Sequence, residues 1–168
     1  DWRWAEERYG ELLEVSGGKE RIRAFVQQSK PDFVLPQGFE DLTAFIKHLH
    51  ASKTQYYKQY AQEGRIPLRP GVERLLNEAR EKGVRLAIAT TTTPANVQAL
   101  LENTLGAESL NWFEVIAAGD MVPHKKPAPD IFEYALEHLQ LPPENCLGFE
   151  DTNYGLLSAT QTGRKTGV

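Results

Sequence analysis

Glu150 and Asp151 stand side by side in Gly148-Phe149-Glu150-Asp151-Thr152, after the apolar pair Cys146-Leu147 and before Asn153-Tyr154-Gly155. Read locally, this is a short strand that ends in two carboxylates just before a helix begins. In open α/β sheets, ligands sit outside the carboxyl ends of the strands. Two unpaired acids are costly to bury there, so they need a cation or a basic partner. As adjacent hard oxygen donors they match a Mg²⁺ site that takes its remaining ligands from water and a substrate phosphate. The alternative is that Asp151 or Thr152 merely caps the helix, which leaves Glu150 unexplained. Zinc is a poor fit, because Cys and His never cluster at zinc-ligand spacing.

Further chemistry sits at other element ends. Thr90 opens a run of threonines through Thr93, between an apolar stretch and a helix that Pro94 would start. A hydroxyl beside the free N–H groups of a helix start suits phosphate, while Thr93 ahead of Pro94 reads equally as an ordinary N-cap. Lys126, in Lys125-Lys126-Pro127-Ala128-Pro129-Asp130, precedes a helix, where the macrodipole mildly disfavours a cation. It is either a fixed ammonium aimed at a phosphoryl oxygen and a carboxylate or a solvated loop lysine. Neighbouring His124 is less telling. Gly17-Gly18-Lys19-Glu20-Arg21 puts two cations at another helix start, which points to an anionic ligand or to a solvated face shared with Glu20.

The elements that must position these groups fall into two unlike halves. Apolar residues at helical spacing predict helices from Trp2 to Val15, from Lys19 to Gln28, and from Leu42 to a stop at Gly64. Tyr56, Tyr57 and Tyr60 read as packing on the last of these. The prolines and glycine of Ile66-Pro67-Leu68-Arg69-Pro70-Gly71 break the pattern, so the chain divides into a helical domain, 1–66, and an alternating domain, 67–168. In the second, strands are expected at 84–89, 115–118, up to Phe149, and 165–168. Helices lie between them, which predicts an α/β fold with a parallel sheet covered on both faces. With 168 residues and 40% hydrophobic content a real core can be buried. The net charge of −4 argues against nucleic acid as partner. No apolar run approaches the roughly 18 residues of a membrane span. The single Cys146 favours a reducing compartment.

Taken in order, a strand ending at Thr90, then Lys126-Pro127-Ala128-Pro129-Asp130-Ile131-Phe132, then Gly148-Phe149-Glu150-Asp151-Thr152 with Gly155, resemble the haloacid dehalogenase (HAD) superfamily of phosphohydrolases. The likeness covers essentially the whole chain. It is greatest to the branch with a helical cap, which holds β-phosphoglucomutases and CbbY-type sugar-bisphosphate phosphatases. The stretch Val15-Ser16-Gly17-Gly18-Lys19-Glu20-Arg21-Ile22 resembles the CbbY-type cap in particular.

The resemblance implies a Rossmann-like core with a small helical cap, and Mg²⁺ held by Glu150 and Asp151. It implies Thr90 on the transferring phosphoryl group, Lys126 on its charge and on the nucleophile, and Gly18, Lys19, Arg21 and Thr91 on the substrate, Lys19 and Arg21 gripping its distal phosphate. The family's nucleophile lies in an Asp-x-Asp motif ahead of the cap, and none occurs in these residues. The expectation is therefore a segment that starts inside the cap, stops inside a strand at Val168, lacks turnover by itself, and has a gap between the strands ending at Thr90 and Glu150.

The expected activity is Mg²⁺-dependent hydrolysis of a phosphosugar resembling xylulose-1,5-bisphosphate, through an aspartyl-phosphate. A mutase of the β-phosphoglucomutase kind and a non-catalytic phosphosugar-binding module are the alternatives, and dehalogenation needs no acidic metal pair. A monomer in the bacterial cytoplasm or plastid stroma, with no membrane partner, completes the expectation.

Overall fold

Leu12, Phe25, Val26, Phe45 and Ile46, apolar positions of the helical half, are all buried. They lie on three helices, α1 (Glu6–Leu12), α2 (Gly18–Ser29) and α3 (Leu42–Gln62). Aromatic contacts supplement them: Trp4 meets Phe25 edge-on and Phe39 meets Phe45 likewise. The structure, a computed structural model, describes residues 3–15, 17–163 and 165–167. The expected helix start at Trp2, Ser16 of the glycine stretch and the strand end at Val168 lie outside the described residues.

The chain forms two compact units, Asp1–Tyr56 and Tyr57–Val168. That division falls within α3, earlier than the Pro-Gly turn in which the sequence breaks its pattern. The turn instead separates α3 from α4 (Val72–Glu81). One packing expectation fails: Tyr56 is 61% exposed and Tyr60 39% exposed. Tyr60 is covered by a cation rather than by core, with the Arg65 guanidinium 3.8 Å from its ring centre.

In the second unit strands and helices alternate as expected: β1 (Leu86–Thr90), α5 (Pro94–Leu105), β2 (Phe113–Ala118), α6 (Asp130–Leu139), β3 (Leu147–Phe149), α7 (Asn153–Thr160) and β4 (Lys165–Gly167). Short 3₁₀ turns at Ala107–Trp112 and Pro143–Asn145 lead into β2 and β3; no sequence signal predicted them. β1 pairs in parallel with β2, Leu86 opposite Phe113 and Thr90 opposite Ala118. β3 pairs in parallel with β4, Leu147 opposite Lys165. Among the described residues the two pairs are separate sheets, with no ladder from β1 to β3.

Side chains of β2 alternate between two cores, as the pleat requires. Val115 and Ala117 pack with Ile131, Phe132, Ala135 and Leu139 of α6 and Ala159 of α7. Ala118, with partly buried Ile116 and Ile88, packs on Val97 and Leu101 of α5. Helices thus cover both faces of the strand that backs the Thr90 loop. Each large apolar side chain buried this way contributes about 1.5–3 kcal/mol.

Candidate active site

Thr90 is the last residue of β1, and the chain turns at once into α5. Thr93 caps that helix, its Oγ1 accepting from Asn96 N at 3.4 Å, with Pro94 in the first turn. The capping role therefore belongs to Thr93 and leaves Thr90 for other work. The Thr90 hydroxyl oxygen accepts from Thr92 N at 3.2 Å. Half-buried Thr91 sits between them. Gly119 braces the loop from β2: its N donates to Thr90 O at 3.2 Å. It adopts φ 64°, and a Cβ there would lie 3.3 Å from Thr92 O.

Lys126 is neither solvated nor loose. Its Nζ donates to Ala89 O, next to Thr90, at 3.0 Å and pairs with Glu150 Oε1. The two side chains are only 11% and 9% exposed. The ammonium also lies 4.7 Å from the centre of the Phe132 ring. Burying two charges costs several kcal/mol per ion, so each depends on the other remaining in place. Glu150, the buried acid at the end of β3, thus has the basic partner that its burial demands.

Two helices fix this arrangement. α7 begins at Thr152, whose Oγ1 accepts from Gly155 N at 3.0 Å, so Thr152 rather than Asp151 is the cap. A Cβ on Gly155 would fall 1.8 Å from Glu150 Oε2, so the carboxylate rests on the bare backbone of α7. Farther along, Ser158 Oγ donates to Ala128 O at 2.6 Å and Gln161 Nε2 to Pro127 O at 2.8 Å, gripping the loop after Lys126. At the start of α6, His124 bonds Asp130 through its backbone N and Nδ1 at 3.1 and 2.9 Å. The His124 side-chain hydrogen bond holds the Asp130 carboxyl below its ordinary range.

Thr90, Lys126 and Glu150 therefore converge through Ala89, and Asp151 follows in the chain. Asp151 is 68% exposed and 3.5 Å from Arg69 Nη2. Two carboxylates, one of them open, fit part of a Mg²⁺ shell, since this ion commonly uses one or two acids and completes its octahedron with water and phosphate. Among the described residues no group of three or more His, Cys, Asp or Glu could hold a metal.

Gly18, Lys19 and Arg21 belong to the first unit. Arg21 ties α2 to the end of α1: Nε donates to Leu12 O at 3.0 Å, Nη2 to Val15 O at 3.1 Å, and Nη1 to Tyr9 OH at 3.2 Å. A cation awkward at the start of α2 is thus well placed at the C-terminal end of α1. Lys19, with Arg23, Thr43 and Lys47, lines a cavity of about 300 Å³. His50 lies against Gly18, where a Cβ would meet its ring at 2.7 Å. Burial, and then the neighbouring Arg21 charge, lower the pKa of Lys53. Sequence reading passes over His50 and Lys53, both on α3, because a polar residue within a helix reads as an ordinary solvated position.

The haloacid dehalogenase-like hydrolase family matches residues 2–163. The chain belongs to this family. Among its relatives is protein CbbY of Rhodobacter capsulatus, 47% identical over 163 residues, 97% of this chain and 68% of the relative. The CBBY-like protein of Arabidopsis thaliana is 36% identical over 160 residues, 95% of this chain and 50% of the relative. The crystal structure of a CbbY mutant from Rhodobacter sphaeroides in complex with xylulose-1,5-bisphosphate superposes with TM-score 0.87 at 43% identity, covering 99% of this chain and 70% of that one. The chain thus spans about two thirds of the bacterial proteins and half of the plant one. Within the haloacid dehalogenase-like hydrolases its class is phosphoric monoester hydrolase.

Proposed function

We propose that the protein hydrolyses the phosphate ester of a small sugar, with a bisphosphate of the xylulose-1,5-bisphosphate kind as substrate and Mg²⁺ as cofactor. The observation that carries this reading is the buried Lys126 ammonium, held between Ala89 O and Glu150 beside Thr90 at the end of β1. One donor hydroxyl and one fixed cation at a strand end suit a phosphoryl group in transfer, whose charge spreads over its outer oxygens. Similarity to a CbbY structure holding xylulose-1,5-bisphosphate supports the sugar.

In this reading Thr90 hydrogen-bonds the phosphoryl group, Thr91 lines its loop, and Lys126 balances its charge and that of the attacking carboxylate. Residues 1–66 form a helical cap domain, in which Gly18, Lys19 and Arg21 serve the distal phosphate, and residues 67–168 form the core domain. The attacking oxygen comes from an aspartate outside these 168 residues, which hold no Asp-x-Asp. It bonds to phosphorus as the ester bond breaks; a second aspartate protonates the departing sugar oxygen, and water then hydrolyses the aspartyl-phosphate. Glu150 and Asp151 are the residues that would hold Mg²⁺, which when bound neutralises charge on phosphoryl oxygens. The protein acts as a monomer in bacterial cytoplasm or plastid stroma. No helix among the described residues is long and apolar enough to cross a membrane.

The test is phosphate release from xylulose-1,5-bisphosphate with and without Mg²⁺, for these 168 residues and for a chain that also carries the Asp-x-Asp strand. The longer chain is expected to turn over only with Mg²⁺, to lose about 100-fold or more with Asp151→Ala, and the shorter to release nothing. Release by the shorter chain that survives Asp151→Ala would overturn the proposal.

A further inference from the structure

Asn96 lies in the first turn of α5, 3% exposed, in a helix whose other buried residues are Val97 and Leu101. Its Oδ1 has no hydrogen-bond partner among the described residues. An apolar side chain of the same size would suit that position better, because an acceptor buried without a partner loses its hydration and regains nothing. Such exceptions need a reason.

The other end of the amide supplies one. Asn96 Nδ2 donates to Thr92 Oγ1 at 3.0 Å, and Thr92 N in turn donates to Thr90 Oγ1 at 3.2 Å. With Gly119 N on Thr90 O and the Gly119 backbone tight beneath Thr92 O, the loop is held from both sides. A threonine hydroxyl has one proton and two lone pairs. Because Thr92 N–H occupies a lone pair of Thr90, the Thr90 proton remains to be given outward.

We infer that Asn96 is a positioning residue for the phosphate ester reaction. It fixes Thr92, and through Thr92 N–H it sets the direction in which Thr90 donates to a phosphoryl oxygen. The inference rests on the reading that Thr90 contacts the phosphoryl group, and its test separates the two.

Asn96→Leu, Thr92→Val, Thr90→Val and the Asn96→Leu/Thr92→Val double variant are compared in the intact enzyme for kcat, KM and Tm. Asn96→Leu is expected to lower kcat about tenfold or more while KM stays within about twofold, since misorientation acts on the reacting geometry. Its Tm should equal or exceed that of the wild type, because the orphaned acceptor is gone. A purely structural residue would move Tm and kcat down together. Thr92→Val should reproduce the kcat loss, and the double variant should be no worse than either single one. Wild-type kcat in Asn96→Leu or Thr92→Val, beside an impaired Thr90→Val, overturns the role of Asn96 and leaves the site standing. Wild-type kcat in Thr90→Val overturns the Thr90 reading itself. Should Asn96→Leu not fold, Thr92→Val alone decides.

Discussion

Gly155 sets the position of Glu150, and through it that of Lys126. Any Cβ at residue 155 would occupy the space of Glu150 Oε2, so the carboxylate must leave or α7 must shift. Gly155→Ala is therefore expected to cost about 1–3 kcal/mol of stability, in the range of other overpacked sites, and to lower kcat as the ammonium loses its partner. Urea denaturation and steady-state kinetics check this, and a wild-type midpoint with wild-type kcat would show that Glu150 has other room. The positions of Thr90, Lys126, Glu150 and Asp151 were legible in the sequence because each sits where a strand or loop meets a helix. That the acids need a basic partner, and that Lys126 could face a carboxylate, was legible too; which carboxylate it meets, and its bond to Ala89, were not. Lys126 meets Ala89 across 37 residues and Glu150 across 24, contacts that no local pattern encodes. Asn96 was silent for a related reason: an asparagine near a helix start reads as ordinary, and only its burial makes it unusual.

α7 is the element that couples the acidic strand end to the lysine loop. Its first turn seats Glu150, and its last carries Ser158, fully buried, onto Ala128 O. Ser158→Ala should leave that carbonyl unsatisfied and destabilise the fold by about 1–3 kcal/mol, read as a lower urea midpoint. A midpoint unchanged from wild type would mean that the loop holds without α7. Helices and strands themselves were largely foreseeable, since the periodicity of Val97, Leu101, Ile131, Ala135 and Leu139 matches the faces they bury. Where the reading failed, at Tyr56 and Tyr60, the spacing was helical but the face is open to water. Periodicity identifies a stripe without saying what covers it.

At the scale of the molecule, the described residues of the second unit form two parallel strand pairs instead of one continuous sheet. The resemblance implied that gap, because the family's strand bearing Asp-x-Asp runs between β1 and β3. Leu147 and Phe149 on β3 are 58% and 60% exposed. A short apolar strand with a free ladder edge is a template for pairing with another chain. Handled as these 168 residues, the protein should therefore be colloidally sticky, scattering light more per molecule as concentration rises, and Leu147→Lys should reduce that scattering by placing a charge on the edge. Scattering proportional to concentration in both proteins would show the edge to be closed. The gap between β1 and β3 thus bears on shelf life and yield as much as on chemistry.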